Sequence, residues 1–378
     1  MVLAGGVGSR LRPLTENIPK PLVPVANKPM IDYSLELLRN HGITKNIIIV
    51  TKFMGNQIRK YLDQAEQFDD LEYIIPNVNP EGTADAVRLV ADLIDTKRFI
   101  VSMADIITNA PITDFQRFHE EKNSIASITL KDIAYPRAFG VIMLNKESQI
   151  LLFLEKPLPQ ELNFVTLTFA KKQAIRLQSN LVNTGLYCFN REILGVLDRL
   201  SDLMDFGKDI LPYLAREYGV YGYERRDYYW MDAGSPQTYL YANWDVLRRW
   251  TFPHFPKATA EDNGLWYEGP FPSFSSSVRL QFPLVLGRDL ELGDNTIIGP
   301  LTAISDRVSV GRNTTIRASV IWHDVQIGNK TTINESIVCN DVVIPDGSHL
   351  AQGTVIAPGI HFTEPVSTQK GEIIRKPK

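Results

Sequence analysis

Met1-Val2-Leu3-Ala4-Gly5-Gly6-Val7-Gly8-Ser9-Arg10-Leu11-Arg12-Pro13-Leu14-Thr15 opens the chain, and Pro19-Lys20-Pro21 follows closely. The first four residues read as an apolar strand already under way at Met1, as if a few residues preceded it. That strand runs directly into three glycines. Without Cβ atoms, glycines let the backbone turn tightly and bring N–H groups against a polyphosphate. Arg10 adds a planar fork suited to phosphate, and Lys20, fixed between two prolines, adds a second cation. The spacing is neither a Walker loop, since no Gly-Lys-Ser/Thr occurs, nor G-x-G-x-x-G. A glycine turn alone is more often structural. With Arg10 and Lys20 beside it, the loop reads as a phosphate site.

Outward from this loop, strands and helices alternate to about residue 245. Pro29 opens a helical pattern with Ile31, Leu35 and Leu38 on one face, and Gly42 stops it. Asn46–Val50 is a continuous apolar run, as expected of a strand buried on both faces. Thr83–Leu93 reads as a helix with Ala84, Val87, Val90 and Ala91 inward, and Phe99–Met103 as another buried strand. Such alternation predicts a mostly parallel α/β sheet with ligands at the carboxyl ends of its strands. Gly140–Leu144, Ile150–Leu154 and Leu186–Phe189 read as later strands, some of them antiparallel.

Past a proline- and aromatic-rich connector, the period changes. Leu292, Ile298, Ile304, Val310 and Ile316 recur every six residues, and Gly293, Gly299 and Gly311 each follow one of them. After a one-residue slip, Ile327-Gly328 and Ile333 resume the rhythm. A period of six fits neither a helix nor a strand pair. It fits a hexapeptide-repeat β-helix in which three hexads make one coil, with sequence here for roughly four coils. The expected organisation is a catalytic domain over 1–250, a connector over 251–278, a β-helix over 279–362 and a polar tail over 363–378.

Composition narrows the function. The 378 residues are 44% hydrophobic and 22% charged, and the formal net charge is −3. That charge argues against broad binding to nucleic acid or anionic membrane. Anionic substrates must instead be held by local cations and backbone dipoles. No apolar run is long enough to span a membrane, and no signal peptide opens the chain. Cys188 and Cys339 are far apart, in no metal-ligand spacing, and fit a reducing cytoplasm as buried small hydrophobes.

The segment GGVGSRLRPLT…PKPLVPVANKP, with the motifs that follow it in order, resembles the sugar-1-phosphate nucleotidyltransferase (nucleotide-sugar pyrophosphorylase) family. Those motifs are Gly82-Thr83-Ala-Asp-Ala-Val, Ala104-Asp105, Phe139-Gly140-Val141, Glu155-Lys156-Pro157, Asn183-Thr-Gly185-Leu-Tyr187 and Trp230-Met-Asp232-Ala-Gly-Ser-Pro236. The resemblance implies a Rossmann-like sheet domain followed by a left-handed parallel β-helix. It assigns Arg10 and Lys20 to the triphosphate, Leu3, Ala4, Gly5, Gly6, Gly8 and Ser9 to the nucleotide, and Gly82 and Thr83 to the base side. It assigns Gly140, Glu155, Lys156, Asn183 and Gly185 to the sugar phosphate, and Asp105 and Asp232 to Mg²⁺. Arg10, Lys20, Asp105 and Asp232 form the catalytic set. Two positions depart from the family pattern: Ser9 where threonine is common, and Ala104 where glycine is usual, a change expected to crowd the backbone beside Asp105.

The implied reaction joins a nucleoside triphosphate to a sugar-1-phosphate and releases pyrophosphate. A phosphate monoester with a second pKa of about 6 is already a dianion at neutral pH, so no Ser-His-Asp or Cys-His base is needed. NIPKPLVPVANKPMIDYSLELL and Ser319-Val-Ile-Trp322 are most similar to mannose-1-phosphate guanylyltransferases, favouring GTP and mannose-1-phosphate. GTADAV and Asp205-Phe-Gly-Lys-Asp-Ile-Leu-Pro212 resemble ADP-glucose pyrophosphorylases, and UDP- or dTDP-sugar synthesis also stays open. Ala104 keeps a weakly catalytic regulatory subunit as an alternative, and His323 or His349 an acyltransferase on the β-helix. A cytoplasmic homo-oligomer, formed through the β-helix or the catalytic domain, is expected.

Overall fold

The computed structural model describes residues 1–51, 53–133, 141–154, 180–256, 258–261 and 263–376. They group into two compact units. The first comprises Met1–Gly5, Ser34–Ile106 and Ala110–Trp230, and the second Gly6–Tyr33, Ile107–Asn109 and Met231–Lys378.

The first unit holds a nine-stranded sheet. Its strands are β1 (Val2–Ala4), β2 (Lys45–Val50), β3 (Glu72–Ile74), β4 (Arg98–Met103), β5 (Ala126–Asp132), β6 (Val141–Leu144), β7 (Ile150–Leu154), β8 (Leu181–Asn190) and β9 (Tyr221–Glu224). The order is β7-β6-β8-β4-β1-β2-β3, with β5 on β8 and β9 on β5. β4, β1, β2 and β3 run parallel, whereas β8 is antiparallel to β4, β5 and β6. The parallel half is the part whose apolar runs left no exposed face, and Ile48, Ile49, Val50, Ile100 and Val101 are buried.

The helix Met30–Asn40 forms where Pro29 opened the pattern, with Ile31, Leu35 and Leu38 fully buried. Gly42 ends that stretch with φ 76°. The helix expected over Thr83–Leu93 stops at Arg88 and tightens to a 3-10 turn at Ala91–Leu93, leaving Ala91 only half-buried. Arg88 is turned into the unit, where its guanidinium donates to the carbonyls of Leu197, Leu200 and Leu203 and so satisfies the end of the helix Ile193–Arg199. Cys188 and Cys339 are buried free thiols, and burial pushes Cys188 up to about 12.

The second unit carries the left-handed β-helix as a solenoid of about six turns. Ile298, Ile316, Ile333 and Leu350 stack in register up one face, all fully buried. Ile304, Ile321, Val338 and Ile356 do so up another. Truncating any of these isoleucines, or Leu350, to alanine would cost about 2–5 kcal/mol.

Positive φ marks the corners: Asp289, Asn295, Leu301, Arg307 and Asn313 at six-residue steps, then Ala318, Asp324 and Lys330, then Glu335 and Asp341. The slip read after Ile316 is the five-residue step from Asn313 to Ala318, and a second follows from Lys330 to Glu335. Gly311 serves a different need: a Cβ there would stand 2.5 Å from Asn329 N of the next coil.

The ladder also exceeds the four coils expected. Leu265–Tyr267 pairs with Leu284–Leu286 at one end and Ile373–Ile374 with Val355–Ile356 at the other. Residues read as connector and tail thus belong to the first and last coils.

Candidate active site

In the second unit the glycine turn is exposed at Gly6, with Gly8 half-buried. Gly8 adopts φ 61° and precedes the 3-10 turn Ser9–Leu11. Its carbonyl accepts from Leu11 N at 3.0 Å and from Thr15 Oγ1 at 2.9 Å. A Cβ on Gly8 would meet Thr15 Cγ2 at 3.0 Å and Lys20 Cβ at 3.2 Å. Left-handed backbone and tight space thus both demand glycine, and the turn is seated directly against Lys20.

Lys20 begins the 3-10 turn Lys20–Leu22, and its flanking prolines fix the chain on both sides. Its side chain is 8% exposed, and Nζ donates to Asp232 Oδ1 at 3.1 Å. Arg10, 62% exposed, donates from Nη2 to Asp232 Oδ2 at 3.4 Å. Asp232 is therefore shared by one buried and one exposed cation. A buried ammonium stripped of its partner is costly, so Lys20 and Asp232 hold each other in place. The exposed guanidinium is free of such a constraint and can follow a bound phosphate.

Asp232 ends the strand Trp230–Asp232. Gly234 clears the space around it, because a Cβ there would stand 2.8 and 2.9 Å from the two carboxylate oxygens. Ser235 then starts the helix Pro236–Leu247 through a capping box with Thr238. Thr15 and Gly234 both lay inside quoted motifs, but sequence alone assigned them no role. Their contribution is to fill or vacate space around Gly8 and Asp232.

In the first unit, Leu3 pairs with Met103, and Ala104 N donates to Leu3 O at 3.0 Å. Leu3 and Ala4 at the end of one strand, with Gly5 directly after it, and Asp105 after the next, thus arrive at the same carboxyl end of the parallel sheet. Ala104 is fully buried, and its backbone takes no positive φ. Leu186 pairs with Ser102, which brings Gly185 beside Met103; a Cβ on Gly185, at φ 79°, would meet Met103 Cγ at 2.8 Å. Asn183 donates from Nδ2 to Tyr187 Oη at 2.9 Å and accepts from Gly185 N at 3.0 Å. The Asn-x-Gly-x-Tyr motif is thereby a single hydrogen-bonded bulge at that end of the sheet.

Gly82 and Thr83 have heavy structural duties. Thr83 Oγ1 donates to Asp205 Oδ2 at 3.0 Å and accepts from Phe206 N at 2.8 Å. A Cβ on Gly82 would stand 2.2 Å from Met204 O. The GTA and DFGKDILP motifs, distant in sequence, are one packed joint. Gly140, Glu155 and Lys156 lie outside the described residues. Among the described residues no cluster of three or more His, Cys, Asp or Glu side chains is arranged to hold a metal.

Comparison with known proteins agrees with this geometry. The nucleotidyl transferase family model matches residues 1–249, and the LbH domain model of the EIF2B epsilon subunit matches residues 264–367. The chain belongs to the nucleotidyl transferase family. Among similar proteins are mannose-1-phosphate guanyltransferase beta-A of Xenopus laevis, 32% identical over 245 residues, and the mannose-1-phosphate guanyltransferases of Schizosaccharomyces pombe and Saccharomyces cerevisiae, 30% and 29% identical over 247 residues. Each alignment covers 64% of this chain and 62% of the relative. The family generally uses a divalent metal. The Asp232 carboxylate, kept clear by Gly234, suits such an ion, since Mg²⁺ needs only one or two carboxylates besides substrate oxygens. Among the described residues no helix is long and apolar enough to cross a membrane.

Proposed function

We propose that the chain transfers a guanylyl group from GTP to mannose-1-phosphate, forming GDP-mannose and pyrophosphate. The observation that carries this reading is the convergence of Lys20 and Arg10 on Asp232 beside the glycine turn. Three mannose-1-phosphate guanyltransferases among its relatives support the choice of substrates.

A phosphate oxygen of the sugar phosphate attacks the α-phosphorus of the triphosphate. The bond from that phosphorus to the bridging α–β oxygen breaks, and the electron pair leaves with pyrophosphate. The nucleophile is already a dianion, so the protein's task is alignment and charge neutralisation. The N–H groups of the turn from Gly5 to Gly8 bind phosphate oxygens, and Arg10 follows the leaving pyrophosphate. Lys20, nearly buried, offers its charge in a fixed direction and needs no reorganisation as negative charge moves across the α-phosphate. Asn183 and Gly185 receive the sugar, Gly82 and Thr83 border the base, and Lys156 with Glu155 and Gly140 meet the sugar phosphate, as the motifs imply. Asp232, and Asp105 by its motif, are the carboxylates for Mg²⁺, which when bound supplies charge neutralisation to the phosphates.

Pyrophosphate release from GTP, ATP, UTP and dTTP, each against mannose-, glucose- and N-acetylglucosamine-1-phosphate, tests the substrates. GTP with mannose-1-phosphate is expected to exceed every other pair at least tenfold. A maximum at ATP with glucose-1-phosphate would replace this reading with ADP-glucose synthesis. An oligomer and a cytoplasmic location complete the proposal.

A further inference from the structure

We propose that the solenoid is a positioning element for the reaction, holding the Lys20 segment against the Asp232 segment through Asn27 and Tyr239. The inference rests on the reading of Lys20 and Asp232 given above.

Directly after the Lys20 turn, Pro24–Val25 and Lys28–Pro29 form a tight hairpin. Its two turn residues, Ala26 and Asn27, have φ of 47° and 63°. A two-residue turn of this kind is normally Asn-Gly, and the left-handed region brings the Cβ of alanine too close to the following carbonyl oxygen. Four hydrogen bonds to residues outside the hairpin hold it in this strained shape. Ala26 N donates to Asn243 Oδ1 at 2.7 Å, and Tyr239 Oη donates to Pro24 O at 2.6 Å. Asn27 Nδ2 donates to Ile304 O of the solenoid at 2.8 Å, and its Oδ1 accepts from Ser305 Oγ at 2.8 Å.

Tyr239 and Asn243 stand one turn apart on the helix Pro236–Leu247, which starts four residues after Asp232. The Tyr239 hydroxyl is itself oriented by Trp322 Nε1 of the solenoid at 2.9 Å. Ala26, Tyr239, Asn243 and Trp322 are all buried, so no water competes for these bonds. The segments bearing Lys20 and Asp232 are therefore tied together at a joint whose outer wall is the solenoid. A shift of about 1 Å in a catalytic group can cost on the order of a hundredfold in rate, so slack in this joint reaches the chemistry.

The test uses the full chain. Asn27→Gly keeps the left-handed backbone while deleting both side-chain bonds, Tyr239→Phe keeps the ring while deleting the hydroxyl, and Asn329→Ala, a half-buried solenoid residue whose side chain bonds Arg312 and Asp346 and touches neither segment, is the control. Amide hydrogen exchange is read over residues 20–27 without substrates, and kcat and KM are read with GTP and mannose-1-phosphate. Exchange there is expected to quicken about tenfold or more in the first two variants, and kcat to fall about 10- to 100-fold with KM for GTP within about threefold. Asn329→Ala should change neither. Unchanged exchange over 20–27 in both joint variants overturns the proposal, as does a lowered melting temperature with kcat intact. Because exchange is read without turnover, it decides the coupling even if the parent chain acts on another substrate pair.

Discussion

Lys20 Nζ lies 3.1 Å from Asp232 Oδ1, although 212 residues separate the two in sequence. In the proposed reaction the lysine bears on the triphosphate and the aspartate on the metal, and in the structure each is held by the other's charge. The contact also explains the surrounding sequence. Two prolines stiffen the chain at Lys20, Gly8 lets the turn close over it, and Gly234 makes room for Asp232.

Gly234→Ala should lower turnover about tenfold or more while barely changing stability. The added Cβ would stand under 3 Å from both Asp232 carboxylate oxygens, so the carboxylate must rotate away from Lys20. Initial rates of pyrophosphate release measured beside a thermal melt check this. A large fall in melting temperature with normal kcat per folded molecule would show that Gly234 serves the fold instead.

Gly82→Ala should act in the opposite way. Its Cβ would press on the Met204 carbonyl, which is backbone and cannot swing aside, and forced overpacking of this kind costs about 1–3 kcal/mol. Urea denaturation should show that loss, with catalysis by the remaining folded protein within a few-fold of the parent. If the midpoint stays fixed and KM for the nucleotide rises, Gly82 is a base contact and its packing role is secondary.

Stability should fall as the solution is acidified through about pH 6.5, with His119 contributing to the slope. Burial holds its pKa below the ordinary value, with the Asn190 hydrogen bond partly opposing that shift. Its ring is bonded to Ser127 Oγ at 2.9 Å and Asn190 Oδ1 at 3.1 Å. The unfolded chain therefore takes up the proton first. The contribution is complete above the unfolded pKa and is lost as pH drops from there toward the folded one. Melting temperature followed from about pH 7.5 to 5 should decline less steeply in His119→Gln than in the parent; equal slopes would assign the acid sensitivity elsewhere.

Much of the fold was legible because its strongest signals are periodic. Ile298, Ile304, Val310 and Ile316 announced the solenoid, and the apolar run at Asn46–Val50 announced a strand covered on both faces. The coil number was not legible, since Leu265–Tyr267 and Ile373–Ile374 sit in loop-like composition and reveal themselves only by pairing with a neighbouring coil. The corners were hidden for a related reason: left-handed backbone there falls on Leu301, Arg307 and Glu335, residues whose type signals no turn.

In the candidate site, Arg10 and Lys20 were visible as charge beside a glycine turn, whereas Asp232 was pointed to only by the resemblance of its motif to the family's. Asn243 and Tyr239 were invisible there, since a helical residue bonding to the backbone of Ala26 or Pro24, more than 200 positions away, leaves no local trace.

The central claim is that the pair formed by Lys20 and Asp232 carries nucleotidyl transfer. Pyrophosphate release from GTP and mannose-1-phosphate, in Mg²⁺, by the parent, Lys20→Ala and Asp232→Asn chains tests it most directly. The account predicts a fall of at least about a hundredfold in kcat for each variant, and little further loss in the double variant, because the two act as one unit. Turnover within a few-fold of the parent in either single variant would contradict it.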